Sequence, residues 1–353
     1  MTKFQSPIRV PNWLGSAAGA LRECEVTPEP RRKMTELTTR NVRVRRLREE
    51  AADVRSFELV GVDGRPLQPF EAGAHVDVYF GDGLIRQYSL INTTSTDGSY
   101  RIAIKLEPNS RGGSQRMHAI AEGDVLTVGL PRNNFALDPG AAHSILLAGG
   151  IGVTPLLGMA SHLIARDASF SFDYFARSRD AMAFADEIGR MGLNSRSRFH
   201  LGLDGGAVGA ELANVLKAPP AGSHVYACGP SPFMQAVRDM IAATPGPVLH
   251  LEFFAADPAP AGLASGTFRV KLAKANKTVV VGADQTIVEA LTAAGMEVTT
   301  SCERGVCGTC LTTVLAERPD HRDMLLTEEE QQAGDRMLLC VSRSLDPELV
   351  LDL

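Results

Sequence analysis

Four cysteines constrain the C-terminal end of this chain more than any other feature. Cys302, Cys307 and Cys310 fall in a Cys-x4-Cys-x2-Cys run, and Cys340 follows further along. The remaining cysteines, Cys24 and Cys228, stand apart from them. A disulfide framework spreads cysteines through a small exported chain, and this chain of 353 residues is neither small nor marked for export. Its only early apolar stretch, Trp13 to Leu21, is interrupted by Gly and Ser. Clustered thiols in a reducing compartment read as a metal site, because the thiolate is the ligand.

The spacing is the one plant-type [2Fe–2S] ferredoxins use, in which four thiolates hold two irons and two sulfides. The residues between the cysteines suit that task. Ser301, Gly305, Gly308 and Thr309 are small, so the loop can wrap closely and aim N–H groups at sulfur. Structural zinc is the alternative, but zinc prefers paired Cys-x2–4-Cys knuckles and only Cys307 and Cys310 would form one.

Charge and hydropathy exclude other classes. The net charge is −5, so no basic footprint points to nucleic acid. The longest apolar stretch, Ser144 to Ala160, is broken by Gly149, Gly150, Gly152, Thr154 and Pro155 and cannot serve as a membrane span. The expectation is a cytoplasmic, multidomain protein without nucleic-acid or membrane partners.

The chain divides by pattern. Residues 1–37 are rich in Pro, Arg and small residues and read as an arm. From 38 to 140, short alternating runs such as Ala74 to Tyr79, separated by turn clusters, predict an antiparallel β-barrel. From 141 to 254, apolar strands (Ser144–Ala148, Phe170–Phe175, His224–Cys228) alternate with helices, which predicts a parallel-sheet α/β domain. Thr154 and Pro155 are read as the cap and first residue of a helix. Residues 255–266 are a Pro/Ala/Gly linker, and 267–353 are long enough for a compact α+β module.

Two further sites emerge. Gly149, Gly150 and Gly152 follow a strand and open a helix, where backbone and helix dipole can receive a pyrophosphate. Cys228-Gly229-Pro230 ends a later strand, and both turns would meet at the carboxyl edge of one sheet. A purely structural glycine turn and a buried Cys228 are the bland readings. On a barrel strand, Arg86-Gln87-Tyr88-Ser89-Leu90 offers an arginine for a phosphate, a ring to cover an aromatic group and a hydroxyl for a ring nitrogen. Gly112, Gly113 and Ser114 would add N–H donors for a phosphate. An ordinary core Tyr88 and a plain surface turn remain open.

In this order the motifs resemble the phthalate dioxygenase reductase family of the ferredoxin–NADP reductase superfamily. Arg86-Gln87-Tyr88-Ser89 matches its flavin motif, Gly149 to Pro155 its nucleotide loop, Cys228-Gly229-Pro230 its nicotinamide-side motif, and the four cysteines its cluster ligands. The closing Cys340-Val341-Ser342-Arg343 and Glu348 to Leu353 also look like that family's ending. The likeness runs from Thr38 to Leu353.

The resemblance implies an antiparallel flavin-binding barrel, a parallel-sheet nucleotide domain and a C-terminal β-grasp ferredoxin domain. It implies FMN in preference to FAD, with Arg86, Gln87, Tyr88, Ser89, Lys105, Gly112, Gly113 and Ser114 as flavin contacts. Gly150, Gly152, Thr154, Arg177, Ser178, Cys228, Gly229 and Pro230 would contact NADH, and Phe254 would close over the flavin. Ser178 stands where relatives that prefer NADH carry an acid, so NADPH is not excluded. Ser89, Cys228 and Glu252 are the implied catalytic residues, and Cys302, Cys307, Cys310 and Cys340 the metal ligands.

The implied reaction takes a hydride from NADH and passes electrons one at a time through the cluster to a Rieske-type terminal oxygenase. The handover would occur at the cysteine loop, where Glu303 and Arg304 follow Cys302. Its eight histidines are scattered, and no pair of Cys-x-His motifs gives the chain an oxygenase centre of its own. The rival readings are a general diaphorase serving another acceptor and a redox sensor without turnover.

Overall fold

The structure, a computed structural model, describes residues 39–81, 84–92, 98–108, 112–193, 196–254, 266–300, 303–306 and 308–353. The expected arm, most of the expected linker, Cys302 and Cys307 lie outside the described residues.

The first sheet contains β1 (Thr39–Ala51), β2 (Val54–Gly61), β3 (His75–Tyr79), β4 (Ile85–Ser89), β5 (Tyr100–Lys105) and, after the short helix α1 (Gly113–His118), β6 (Val125–Gly129). Its order is β4-β3-β6-β1-β2-β5, with antiparallel pairing throughout. Alternation explains it: in β1, Val42 and Val44 are buried while Arg43 and Arg45 face solvent. These valines join Phe57, Leu59, Val76, Val78, Ile102, Val128 and Met117 in one apolar core. The Ile91 N–H donates to the Arg101 carbonyl at 2.9 Å, so the segment after β4 turns back onto β5. This is the antiparallel barrel that the alternation predicts.

A second sheet follows: β7 (His143–Gly149), α2 (Val153–Ala165), β8 (Phe170–Ala176), α3 (Ala185–Arg190), β9 (Ser197–Leu201), α4 (Gly205–Val215), β10 (Ser223–Cys228), α5 (Ser231–Ala242) and β11 (Val248–Glu252). The five strands are parallel in the order β11-β10-β7-β8-β9. Buried on both faces, β7 reads as a continuous apolar run, as central parallel strands do. The chain reverses its strand order at β7, so the crevice at the carboxyl ends of β7 and β10 is where ligands bind in open α/β sheets. Helix α2 packs into a shared core with barrel residues Val54, Ile91, Ala103 and Phe135. A Cβ on Gly158 of α2 would lie 3.2 Å from the Leu90 carbonyl oxygen, a tight contact, so glycine here lets the helix pack closely on the segment after β4.

The helix start differs from the expectation. Gly150–Gly152 forms a 3-10 turn, Gly152 caps α2 without a side-chain bond, and Thr154 lies inside the first turn. Its hydroxyl donates to the Ile151 carbonyl at 3.0 Å. The glycines continue directly into the helix, so Thr154 is already inside its first turn and is not its cap.

The C-terminal part holds β12 (Phe268–Leu272), β13 (Lys277–Val281), α6 (Ile287–Ala293), β14 (Leu311–Ala316), β15 (Pro319–Asp320), α7 (Glu328–Ala333), β16 (Arg336–Leu338), β17 (Arg343–Ser344) and β18 (Glu348–Leu351). Five of these strands form a mixed sheet ordered β13-β12-β18-β14-β16, with β12 and β18 parallel. A capping box between Thr286 and Glu289 starts α6, which buries Ile287, Ala290 and Leu291 against the sheet core. Among the described residues, no helix is long and apolar enough to cross a membrane.

Candidate functional site

The two glycine turns meet at the carboxyl edge of the parallel sheet. Ala148 pairs with Cys228, which brings Gly149 beside Gly229. A Cβ on Gly152 would lie 2.1 Å from the Cys228 carbonyl oxygen, and one on Gly229 would lie 3.0 Å from Gly149 Cα. No side chain fits between these backbones, so glycine is required for the approach and leaves bare amides around the crevice. Cys228 itself is fully buried, and desolvation followed by the nearby Glu252 carboxyl pushes its thiol well up, which keeps it protonated.

The flavin-motif strand faces this crevice from the barrel. Ser89, at the end of β4, is buried, and its hydroxyl donates to Glu252 Oε2 at 3.3 Å, at the end of β11. Glu252 is half-buried, and desolvation raises its carboxyl to about 8, with the Ser89 hydrogen bond opposing. At neutral pH it is therefore protonated and uncharged. Tyr88 packs on the barrel core, and burial raises its phenol. Arg86 bonds the Ile85 carbonyl at 2.7 Å, and its stem lies where a Cβ on Gly113 would be, 2.6 Å from Arg86 Cγ. Gly112 takes a left-handed φ of 95° and turns the chain into α1 beside that arginine. Ser114 Oγ accepts from the Glu107 amide at 3.1 Å, and the Lys105 ammonium is held by Glu107 at 2.8 Å and Asp53 at 3.6 Å.

The other expected residues lie further out. Arg177 and Ser178 are exposed beyond the end of β8, with Ser178 Oγ accepting from the Ala181 amide at 3.3 Å. Pro230 precedes α5, and Phe254, just past Glu252, is exposed.

Beneath the flavin-motif strand lies a polar group that alternation did not reveal. His75 and Asp77 on β3 are buried; Gln87 Nε2 approaches His75 Nε2 at 3.3 Å, and Arg132 donates to Asp77 at 2.6 Å. Desolvation, then the Arg132 charge, lowers His75 to about 4, so its ring is neutral. In sequence His75-Val76-Asp77-Val78 reads as polar residues facing solvent. Only the closure of the barrel and the segment at Arg132 bury them.

In the C-terminal part, Cys310 and Cys340 are both buried and adjacent, with the Leu339 amide donating to the Cys310 carbonyl at 3.4 Å. Gly305 and Gly308 adopt φ of 70° and 73°, and a Cβ on Gly305 would meet Val341 at 2.6 Å. The loop is thus folded tightly onto the segment carrying Cys340, and buried sulfurs beside a glycine-built loop fit a thiolate-held cluster. Cys302 and Cys307, the other two expected ligands, lie outside the described residues.

Comparison with known proteins agrees with this arrangement. Residues 270–345 match the family model described as a 2Fe-2S iron-sulfur cluster binding domain. The chain is 43% identical over 309 residues to vanillate O-demethylase oxidoreductase from Pseudomonas sp. (strain HR199 / DSM 7063), covering 86% of this chain and 96% of that protein. It is 39% identical over 305 residues to phthalate dioxygenase reductase from Burkholderia cepacia, covering 86% and 94%. The solved structure of a phthalate dioxygenase reductase, described as modular for electron transfer from pyridine nucleotides to [2Fe-2S], superposes with a TM-score of 0.70 at 38% identity, covering 89% of this chain and 98% of that one. With barrel, parallel sheet and cluster domain in the same order over nearly the whole relative, the chain belongs to the phthalate dioxygenase reductase family of oxidoreductases.

Proposed function

We propose that this chain is the reductase component of a Rieske-type oxygenase system, operating in the cytoplasm and taking its electrons from NADH. The observation that supports this reading is the contact between Ser89, in the strand matched to the flavin motif, and Glu252 at the end of the parallel sheet's β11, next to the crevice between the two glycine turns. Similarity to reductases named for dioxygenase and demethylase systems supports the oxygenase partner.

The residues present fit the groups this activity needs. The Arg86 guanidinium and the backbone around Gly112 and Gly113 hold the FMN phosphate, and Ser89 and Tyr88 contact its ring system. Protonated Glu252 gives the reacting edge an uncharged carboxyl that accepts from Ser89 without placing an anion there. The glycine amides at Gly150, Gly152 and Gly229 receive the dinucleotide, with Thr154, Cys228 and Pro230 lining the crevice and Phe254 covering it. Arg177 and Ser178 meet the adenosine ribose. Cys302, Cys307, Cys310 and Cys340 hold the [2Fe–2S] cluster. When bound, the flavin converts a two-electron hydride into single electrons that the cluster can carry.

The test is reconstitution. Purified protein mixed anaerobically with NADH should lose its flavin absorbance within seconds. With oxygen and an aromatic acid, hydroxylated or demethylated product should appear only after a Rieske oxygenase is added. Product formed in stoichiometric yield by this chain alone would overturn the proposal, and dye reduction without transfer to any Rieske oxygenase would favour a general diaphorase.

A further inference from the structure

Arg101 on β5 serves two carboxylates from different parts of the fold. Its Nη1 donates to both oxygens of Glu187, at 2.9 and 2.8 Å, and its Nη2 donates to Glu50 Oε1 at 2.8 Å. Glu50 lies near the end of β1 in the barrel, while Glu187 sits in the first turn of α3 in the nucleotide domain. The three side chains are 20%, 13% and 30% exposed, so solvent screens them only in part.

The arginine is rooted in the flavin strand's continuation. Its amide donates to Asn92 Oδ1 at 2.9 Å, and its carbonyl accepts from Ile91 at 2.9 Å, directly after Leu90. At its other end the guanidinium lies 5.1 Å from the centroid of Phe184, a buried residue held at φ 61° just before α3. A non-glycine residue in this conformation persists only where its surroundings fix it.

Residues 177–184 therefore form a loop fixed at both ends. At one end β8 holds Ala176 in the sheet; at the other, Arg101 holds Phe184 and Glu187 against the barrel. Midway, the Ala52 amide donates to the Asp180 carbonyl at 3.4 Å, a second barrel contact. Arg177 and Ser178 open this loop. One guanidinium between two carboxylates also sets a direction: without it, Glu50 and Glu187 repel and the loop is pushed off the barrel.

We propose that Arg101 is a positioning residue for dinucleotide selection: through Glu187 and Phe184 it sets where the 177–184 loop stands relative to the flavin strand. The proposal rests on the reading of the chain as an NADH- and FMN-dependent reductase. It concerns the adenosine end of the dinucleotide alone, so it separates binding from the hydride step.

The test uses full-length protein loaded with flavin and cluster, assayed by steady-state dye reduction with NADH and with NADPH. Glu187→Gln keeps the side chain's size and weakens the charged contact. It should raise KM for NADH and lower the NADH-to-NADPH ratio of kcat/KM by about fivefold each, the scale a partly exposed ion pair supports. The kcat with NADH and the FMN dissociation constant should stay at the parent values. Arg101→Met should shift the ratio further, and adding Glu187→Gln to it should recover part of the shift by removing the like-charge pair. An unchanged nucleotide ratio, or equal losses with both nucleotides that track FMN release, overturns the proposal. If Arg101→Met does not fold, Glu187→Gln alone decides. A parent protein whose flavin neither nucleotide reduces refutes the functional reading itself, which is a different result.

Discussion

The Ser89 hydroxyl donates to Glu252 Oε2 across 3.3 Å, joining the end of barrel strand β4 to the end of β11 in the nucleotide sheet. Burial of that junction raises the Glu252 carboxyl to about 8, well above its ordinary value of 4.5. A neutral acid and a hydroxyl therefore close this junction, where the proposed function would bring a nicotinamide to a flavin.

This shift predicts how stability depends on pH. Between about 4.5 and about 8 the folded chain holds a proton on Glu252 that the unfolded chain has released. Stability from this group is thus fully present at low pH, falls as pH rises through the window, and levels off above about 8. Glu252→Gln should remove that part of the slope. Urea midpoints across the window, measured on both proteins without added nucleotide, check it; parallel slopes would contradict the assignment.

Gly113→Ala tests the phosphate cradle without touching a charge. The new methyl would fall 2.6 Å from Arg86 Cγ, so the arginine has to move. Flavin affinity should drop in the direction of Arg86→Ala, for which loss of a charge-assisted bond is worth about 1.5–3 kcal/mol. Fluorescence titration of flavin into apo-protein measures both; full affinity in both variants would place the phosphate elsewhere.

Gly152→Ala attacks the approach of the two nucleotide turns. Its methyl would sit 2.1 Å from the Cys228 carbonyl oxygen and 2.7 Å from the Gly229 amide, both backbone atoms. Overpacking of this kind costs about 1–3 kcal/mol. We expect a lower melting temperature and a KM for NADH raised at least as far as in Glu187→Gln, with the flavin and cluster spectra retained. A variant with parental KM would show that the dinucleotide does not use this crevice.

Cys307→Ser should remove the cluster's visible absorption and leave the flavin bound, because Cys310 and Cys340 belong to an apolar core separate from that of the barrel. NADH-driven ferricyanide reduction should survive, since that dye accepts electrons from flavin, while cytochrome c reduction should fall. Equal loss of both activities would contradict this wiring, and unchanged cytochrome c reduction would mean that electrons do not leave through the cluster.

Part of the site could be read before any fold was known, because it consists of residues whose chemistry depends on neighbours in the chain. The cysteine run, the glycine turn from Gly149 to Gly152 and Cys228-Gly229-Pro230 each act through local backbone, and local spacing announces them. Arg86 and Ser89 were read as flavin contacts from local sequence in the same way, and that role belongs to the proposed function. The helix start at Thr154 was misread because a 3-10 turn, invisible to pattern, absorbs the residues that a cap would serve. His75 and Asp77 gave no signal at all, since a polar residue on an alternating strand looks the same whether its face meets water or another segment.

The sequence by itself determined the order of modules, the strand and helix periods that build them, and the cluster-type cysteine spacing. These follow from short-range sterics and from burial of apolar faces, which depend on residues close in sequence. Only the tertiary structure decided which distant polar groups share one dielectric environment: Ser89 with Glu252, His75 with Gln87, Arg101 with Glu50 and Glu187. Ionisation and ion pairing depend on distance and desolvation, and both are set when the barrel closes and packs on the parallel sheet, not along the chain.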